Sequence, residues 1–319
     1  MKKYSKCGFD VYHYEFDTLH QFLTQTQAAT VNQKIFSLFF SHKISPDNTE
    51  WTGTENFEEA VELCQKGWSE NFEKFVYMKK HIDEELLSPI IKHRQIQDII
   101  GYNPSVPDYL MGNPLNMWNQ TPKQIPTFIN IYLNLAYKSE TDENSIFNRG
   151  VIVLSLVDAL QQKGYSVRFK PFVCIEEHNE IIFASFNLKD DWEKLNVKKA
   201  YYPLCHPSFL RRLVFLLIET TPVHCVNWEI GYGLPSKFST FKNIINPGPN
   251  DIIITQPSQL GIQGYNIDTD LKYFLMCTNL QKFLTRIWRN YMYTTKCKIC
   301  LLWQTILHLF FIIFVHNFY

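Results

Sequence analysis

Beyond Asp270 the chain contains no aspartate, glutamate, glycine, proline, alanine or serine. That stretch, 271–319, keeps Lys272, Lys282, Arg286, Arg289, Lys296 and Lys298, so it is purely cationic. The whole chain balances 31 basic against 31 acidic residues, which leaves 25 basic against 31 acidic ones up to Asp270. No overall basic field exists, and bulk charge is excluded as a route to nucleic acid. Glycine loops that cradle phosphate are missing too, both the Walker type and the dinucleotide fingerprint. Gly231-Tyr-Gly233-Leu-Pro lacks a third glycine and a following helix, and reads as a turn. There is no His-Glu-x-x-His helix and no Gly-x-Ser-x-Gly elbow. No cofactor is expected. Met1-Lys2-Lys3-Tyr4 runs into polar sequence and not into the apolar core of a secretory signal, so a cytoplasmic setting is expected.

What is present supports a sizeable core. Apolar residues make up 45% of 319, and aromatics 15%, which argues against low-complexity disorder over most of the length. Eight cysteines are scattered through apolar patterns and are expected to be reduced and mostly buried. Three Cys/His groupings, Cys205-His206, His224-Cys225 and Cys297-x-x-Cys300, fall short of the four convergent ligands zinc needs, and no metal is expected.

Phe16, Leu19, Phe22 and Leu23 have helical spacing, so the first fifty residues read as one or two short helices. Asn56 and Glu59 form a capping box before a helix that ends at Gly67. Residues 101–118 crowd Pro, Gly and Asn beside Tyr109, Leu110, Met111 and Trp118, which predicts an ordered, packed loop, either a structural wrap over the core or the lining of a site. From Pro126 the pattern changes. Ile129, Ile131, Leu133 and Leu135 alternate with period two; a polar loop 138–145 and a helix over 148–163 follow, then a strand over 165–175. Strand, crossover helix and strand make a right-handed βαβ unit. Residues 180–188 add an antiparallel strand, 206–220 a helix, 251–255 a short strand and 268–288 a last helix. The expected fold is α/β, a three-layer, mostly parallel sheet flanked by helices, with a helical N-terminal region. Its divisions are a helical, loop-rich region 1–125, an α/β core 126–290 and an apolar tail 291–319.

The edge of an open parallel sheet at the strand ends is where ligands bind. That places a candidate interaction or ligand loop at Ser139, Glu140, Thr141, Asp142 and Glu143, with Arg149 on the following helix. Arg211-Arg212, like Arg149, reads either as a contact for an acidic partner or as a solvated face with aliphatic stems on the core.

Several phrases resemble an uncharacterised family encoded by tailed phages and prophages. They are Trp51-Thr-Gly53-Thr with Gly67-Trp68; Val106-Pro107-Asp-Tyr109-Leu-Met-Gly112-Asn-Pro114-Leu-Asn-Met117; Asn148-Arg149-Gly150 with Gly164-Tyr165; and His206-Pro with Arg211-Arg212 and Glu219. The resemblance implies a phage or prophage context and a host-cell cytoplasm, and carries no assigned activity. Residues 128–175 also look like the opening of a von Willebrand factor A-type domain. Where that family holds a divalent metal with Asp-x-Ser-x-Ser, this chain has Tyr137-Lys-Ser139-Glu-Thr141, and Thr255-Gln256-Pro257 stands where a second carboxylate is expected. Without those carboxylates, the likeness implies a metal-free interaction domain whose partner is another protein. The alternative is a metal-dependent hydrolase or nuclease using Glu140, Asp142 and Glu143.

The end of the chain has three readings. About twenty apolar residues make a membrane anchor, and the apolar stretch that starts at Ile299 approaches that length only with Gln304, Thr305, His308 and His316 included. A buried terminal helix is the second reading, and a reading frame altered near Asp270 the third. Contact with a membrane is expected only through this tail.

Overall fold

The computed structural model describes residues 1–29, 40–86, 93–122, 128–177, 179–221, 234–278 and 280. The chain divides into two compact units, Met1–Thr278 and Asn279–Tyr319. The expected tail segment 291–319, His224-Cys225 and Cys297-x-x-Cys300 lie outside the described residues.

The chain opens with strands β1 (Lys2–Lys6) and β2 (Phe9–Phe16), not with a helix. Cys7 and Gly8 between them have φ of +51° and +84°, the left-handed pair of a two-residue hairpin turn. Only then comes helix α1 (Leu19–Ala29), so Phe16 closes a strand and Leu19 opens the helix. Helices α2 (Pro46–Thr52), α3 (Phe57–Lys66) and α4 (Phe72–Leu86) follow. Asn56 caps α3 by accepting from the Glu59 amide at 2.8 Å. Glu59 reaches back to the amide of Glu55, one residue further than the capping box predicts.

Strands β3 (His93–Asp98), β4 (Asn103–Pro104) and β5 (Met117–Pro122) form a separate three-stranded sheet in the order β3-β5-β4, with helix α5 (Val106–Leu110) between β4 and β5. The expected βαβ unit is present as strand β6 (Phe128–Asn134), helix α6 (Glu143–Gln162) and strand β7 (Ser166–Glu177), with β6 and β7 parallel. Strand β8 (Glu180–Phe186) pairs antiparallel with β7, as its spacing predicts. Helix α7 (Val197–Cys205) leads into a π-helical turn, Phe209–Val214, and helix α8 (Phe215–Thr220). The single helix expected over 206–220 is thus widened in its first half. Helix α9 (Phe238–Ile245), strand β9 (Ile252–Ile254) and helix α10 (Ile267–Thr278) complete the order.

The main sheet runs β1-β2-β8-β7-β6-β9. It is mixed, not mostly parallel: β1 with β2 and β7 with β8 are antiparallel, while β2 with β8, β7 with β6 and β6 with β9 are parallel. Two hairpins cause this: β7–β8 reverses the chain within the sheet, and β1–β2 reverses it again at the edge.

Every residue of α6 from Ser145 to Leu160 is buried. A helix apolar nearly all round must be covered all round, and α4, α7 and β7 pack on it. Most of its buried polar side chains are paired, as burial requires, though Arg149 is only partly so. Asn148 donates to Asp270 at 2.8 Å, and Asp158 takes Lys79 at 2.6 Å and Gln162 at 2.9 Å. A second core cluster joins Val11, Phe172, Cys174, Ile181 and Phe183 of the sheet to Phe241 of α9. Cys64, Cys174 and Cys205 are buried free thiols, while Cys7 and Cys277 are free and exposed.

Candidate functional site

The C-terminal end of β6 is a switch point, because the chain leaves it for β7 on one side while β9 joins on the other. Ligands of open α/β sheets enter at such crevices. Here the crevice is filled by side chains. Arg149, fully buried, sends Nη1 to the carbonyl oxygens of Asn134 at 2.8 Å and Thr255 at 3.2 Å, so it ties the ends of β6 and β9 together. Among the described residues its Nε and Nη2 have no hydrogen-bond partner, and its guanidinium lies 5.8 Å from the centre of the Tyr137 ring. Burial pushes the Arg149 guanidinium down to about 10.

The polar loop beyond β6 is held from outside. Arg211 donates Nη2 to the carbonyls of Ser139 at 3.2 Å and Thr141 at 2.9 Å, and Nη1 to the carbonyl of Trp51. The Trp51 indole N–H donates to the same Ser139 oxygen at 2.9 Å, and Arg211 stacks 4.6 Å over the Trp51 ring. Arg212 spans the carbonyls of Ser41, Lys43 and Thr54 and the Thr54 hydroxyl. Neither arginine forms the solvated face expected of it, and both are buried. Flanked by Phe209, Leu210, Leu213 and Val214, they had no polar face on which to sit.

Within the candidate loop the side chains take different tasks. Asp142 caps α6 by accepting from the Ser145 amide at 3.2 Å, which starts the helix at Glu143, five residues before its expected first residue. Glu140 is exposed and reaches Lys138 at 3.6 Å. Desolvation holds the Glu143 carboxyl above its usual range, against the pull of Arg211. Ser139 and Thr141 contribute backbone carbonyls. Among the described residues, no three His, Cys, Asp or Glu side chains come together in a metal-holding group.

Most of the phrases singled out in the sequence converge on this knot. Gly53 ends α2 in a left-handed conformation, and a Cβ there would stand 3.1 Å from the His206 ring. Gly67 ends α3, and Trp68 beyond it meets His206 edge-on at 4.9 Å. Gly150 faces the Leu204 carbonyl so closely that any Cβ would overlap it. Gly164 turns the chain from α6 to β7. His206 Nδ1 meets the Ser208 hydroxyl at 2.7 Å, and burial holds this imidazole down at about 4. Glu219 accepts from the amide and hydroxyl of Ser41.

One phrase stands apart. Pro107 sits in the first turn of α5, Gly112 turns left-handed after it, Pro114 follows and Met117 starts β5. This segment is ordered as expected, but it is not packed over the core. Val106, Tyr109 and Leu110 are 60%, 68% and 78% exposed, and Met111 74%. Their spacing of three and four puts the first three on one helix face. Ile99 and Ile100 in the β3–β4 turn are exposed as well. Sequence reading missed this surface because apolar residues beside turn formers look like buried anchors. The short spacing between Pro104, Pro107 and Pro114 was the available signal: it leaves too little chain to carry those side chains inward.

No curated protein and no solved structure matches this chain. A family model matches residues 2–285 and is described as a domain of unknown function, a description that carries no phage source and no von Willebrand A likeness. The match passes Asp270 by fifteen residues, so family sequence continues into the stretch without acidic residues, and only 286–319 lie beyond it. Matched over nearly its whole length, the chain belongs to the DUF7192 family of domains of unknown function.

Proposed function

We propose that the chain is a non-enzymatic accessory protein that works by holding another protein, and that the α5 segment is the surface it holds with. The observation that carries this reading is the exposed stripe of Val106, Tyr109 and Leu110 with Met111 beside it. Apolar groups gathered on one solvent-facing element mark interaction sites more often than scattered ones do. The frame under them is fixed. Ser105 donates its amide to Asn116 O at 2.6 Å, Tyr102 to Trp118 O at 2.9 Å and Asn113 to Asp108 O at 2.9 Å. A preorganised surface loses little entropy on binding. The exposed residues of the 139–143 loop are the second surface open to a partner, and the phage or prophage and cytoplasmic setting rests on the sequence phrases alone.

The test is site-specific photo-crosslinking in cells, with the reactive side chain at Leu110, at Glu140 or at Glu62 on α3. A discrete protein adduct at 110, absent at 62, is expected. An adduct at 140 alone transfers the surface to the loop, and identical patterns at all three positions reject the reading.

A further inference from the structure

We infer that the outer edge of β3 is where a second copy of this chain pairs, antiparallel about a two-fold axis. The inference is independent of the α5 reading above. Among the described residues the two sheets end in the edge strands β1, β9, β3 and β4. β1 carries Lys2, Lys3 and Lys6, a set of one sign that guards its edge against a copy of itself. β9 has three residues and β4 two, short edges of the kind that resist pairing. β3 differs from all three. It has six residues and no proline, with Arg94 towards one end and Asp98 at the other. Among the described residues it pairs with β5 alone.

The backbone fixes which groups this edge presents. Trp118 of β5 accepts the Tyr102 amide at 2.9 Å, so its carbonyl points to the β4 side. In an antiparallel ladder a residue's N–H and C=O point the same way, and facing residues alternate between bonded and non-bonded pairs. Gln97, opposite Trp118, therefore turns its own groups outward, as do Gln95 and His93 by alternation. Only these three can bond a further strand, so a two-fold register must centre on one residue and not between two. Centred on Ile96, Gln95 bonds the partner's Gln97, and Arg94 stands across from the partner's Asp98, twice by symmetry. Centred on Gln95 or Gln97, Arg94 or Asp98 would face Ile96 instead. The charges thus select the Ile96 register, and an antiparallel copy is the strand that matches them without any other partner. The same register brings the partner's His93 to the level of Ile99, which the turn after β3 leaves exposed.

The experiment is analytical ultracentrifugation of the full chain over a range of concentrations, for wild type, Gln95→Pro, Arg94→Glu and Arg94→Glu/Asp98→Arg. Wild type is expected to sediment as a dimer. Gln95→Pro removes an outward N–H that the fold does not use, a substitution edge strands accept, and is expected to leave a monomer. Arg94→Glu turns two attractive pairs into two repulsive ones and should weaken the dimer about tenfold. The double variant restores opposite signs in the same register and should bring dimerisation back to nearly the wild-type strength. A wild-type chain that stays monomeric at its highest soluble concentration overturns the inference. So does a dimer that Gln95→Pro leaves intact, which must use another surface. A double variant as weak as Arg94→Glu rejects the Ile96 register and the pairing with it. Melting curves identify any variant that fails to fold; if Gln95→Pro is one, the loss and rescue across the charge variants decides alone.

Discussion

Arg212 donates to the carbonyls of Ser41, Lys43 and Thr54 and to the Thr54 hydroxyl, and removing it leaves the Ser41 carbonyl without a donor. Arg212→Met should cost about 2 kcal/mol, because the buried Ser41 carbonyl loses its donor while the Lys43 and Thr54 carbonyls keep only Asn48 and Thr52. Arg212→Lys should recover little of that, since an ammonium cannot reproduce the planar fork. Urea denaturation measures both. His206 gives a pH dependence of known sign. Burial depresses its folded pKa to about 4, below the ordinary 6.5, so the unfolded chain binds the extra proton first as pH falls. Stability is full above pH 6.5 and drops between 6.5 and 4, by on the order of 3 kcal/mol across that window. His206→Gln should flatten this slope in urea midpoints taken between pH 7 and 5, whatever its absolute stability. Equal slopes would show that other groups dominate acid unfolding.

At the scale of elements, α6 and α7 touch through Gly150. Gly150→Ala should cost about 3 kcal/mol, because the methyl overlaps the Leu204 carbonyl and one helix must move. Leu110→Ser on α5 should change stability by no more than about 0.5 kcal/mol, since the side chain already faces water. Calorimetry of the two variants would separate a packed element from a presented one. The same contrast explains what the sequence discloses. The β6-α6-β7 unit is legible because period-two alternation gives way to a long apolar helix bounded by Asp142 and Gly164. The β1-β2 hairpin is not, because Phe16, Leu19, Phe22 and Leu23 imitate a helical stripe across a strand–helix junction. Cys7-Gly8 between alternating residues was the overlooked turn signal. The polar loop follows β6, but its expected last residues, Glu143 to Ser145, belong to α6. The burial of Arg149, Arg211 and Arg212 was illegible, because their acceptors are backbone carbonyls distant in sequence and carry no residue signature.

For the whole molecule, the unit Met1–Thr278 contains its own sheet and helices. A chain ended after Thr285, the last-matched family residue, should unfold cooperatively within roughly 3 °C of the full chain, a shift worth under about 1.5 kcal/mol for a protein of this size. A large loss would make the remaining residues part of the fold. Magnesium or manganese added in excess should leave the melting temperature unchanged, because Asp142 is engaged as a helix cap and Glu140 faces solvent. A saturable rise would revive the metal-dependent alternative.

The parallel pairing of β2 with β8 sets a timetable for synthesis. Strand Phe9–Phe16 acquires its second neighbour only when Glu180–Phe186 emerges, roughly 170 residues later. At translation rates of about 5–20 residues per second, Val11, Tyr14 and Phe16 wait on the order of ten to thirty seconds without their cover. The nascent hairpin is therefore the segment on which a ribosome-associated chaperone would act, and slowing elongation would lengthen its exposure to aggregation.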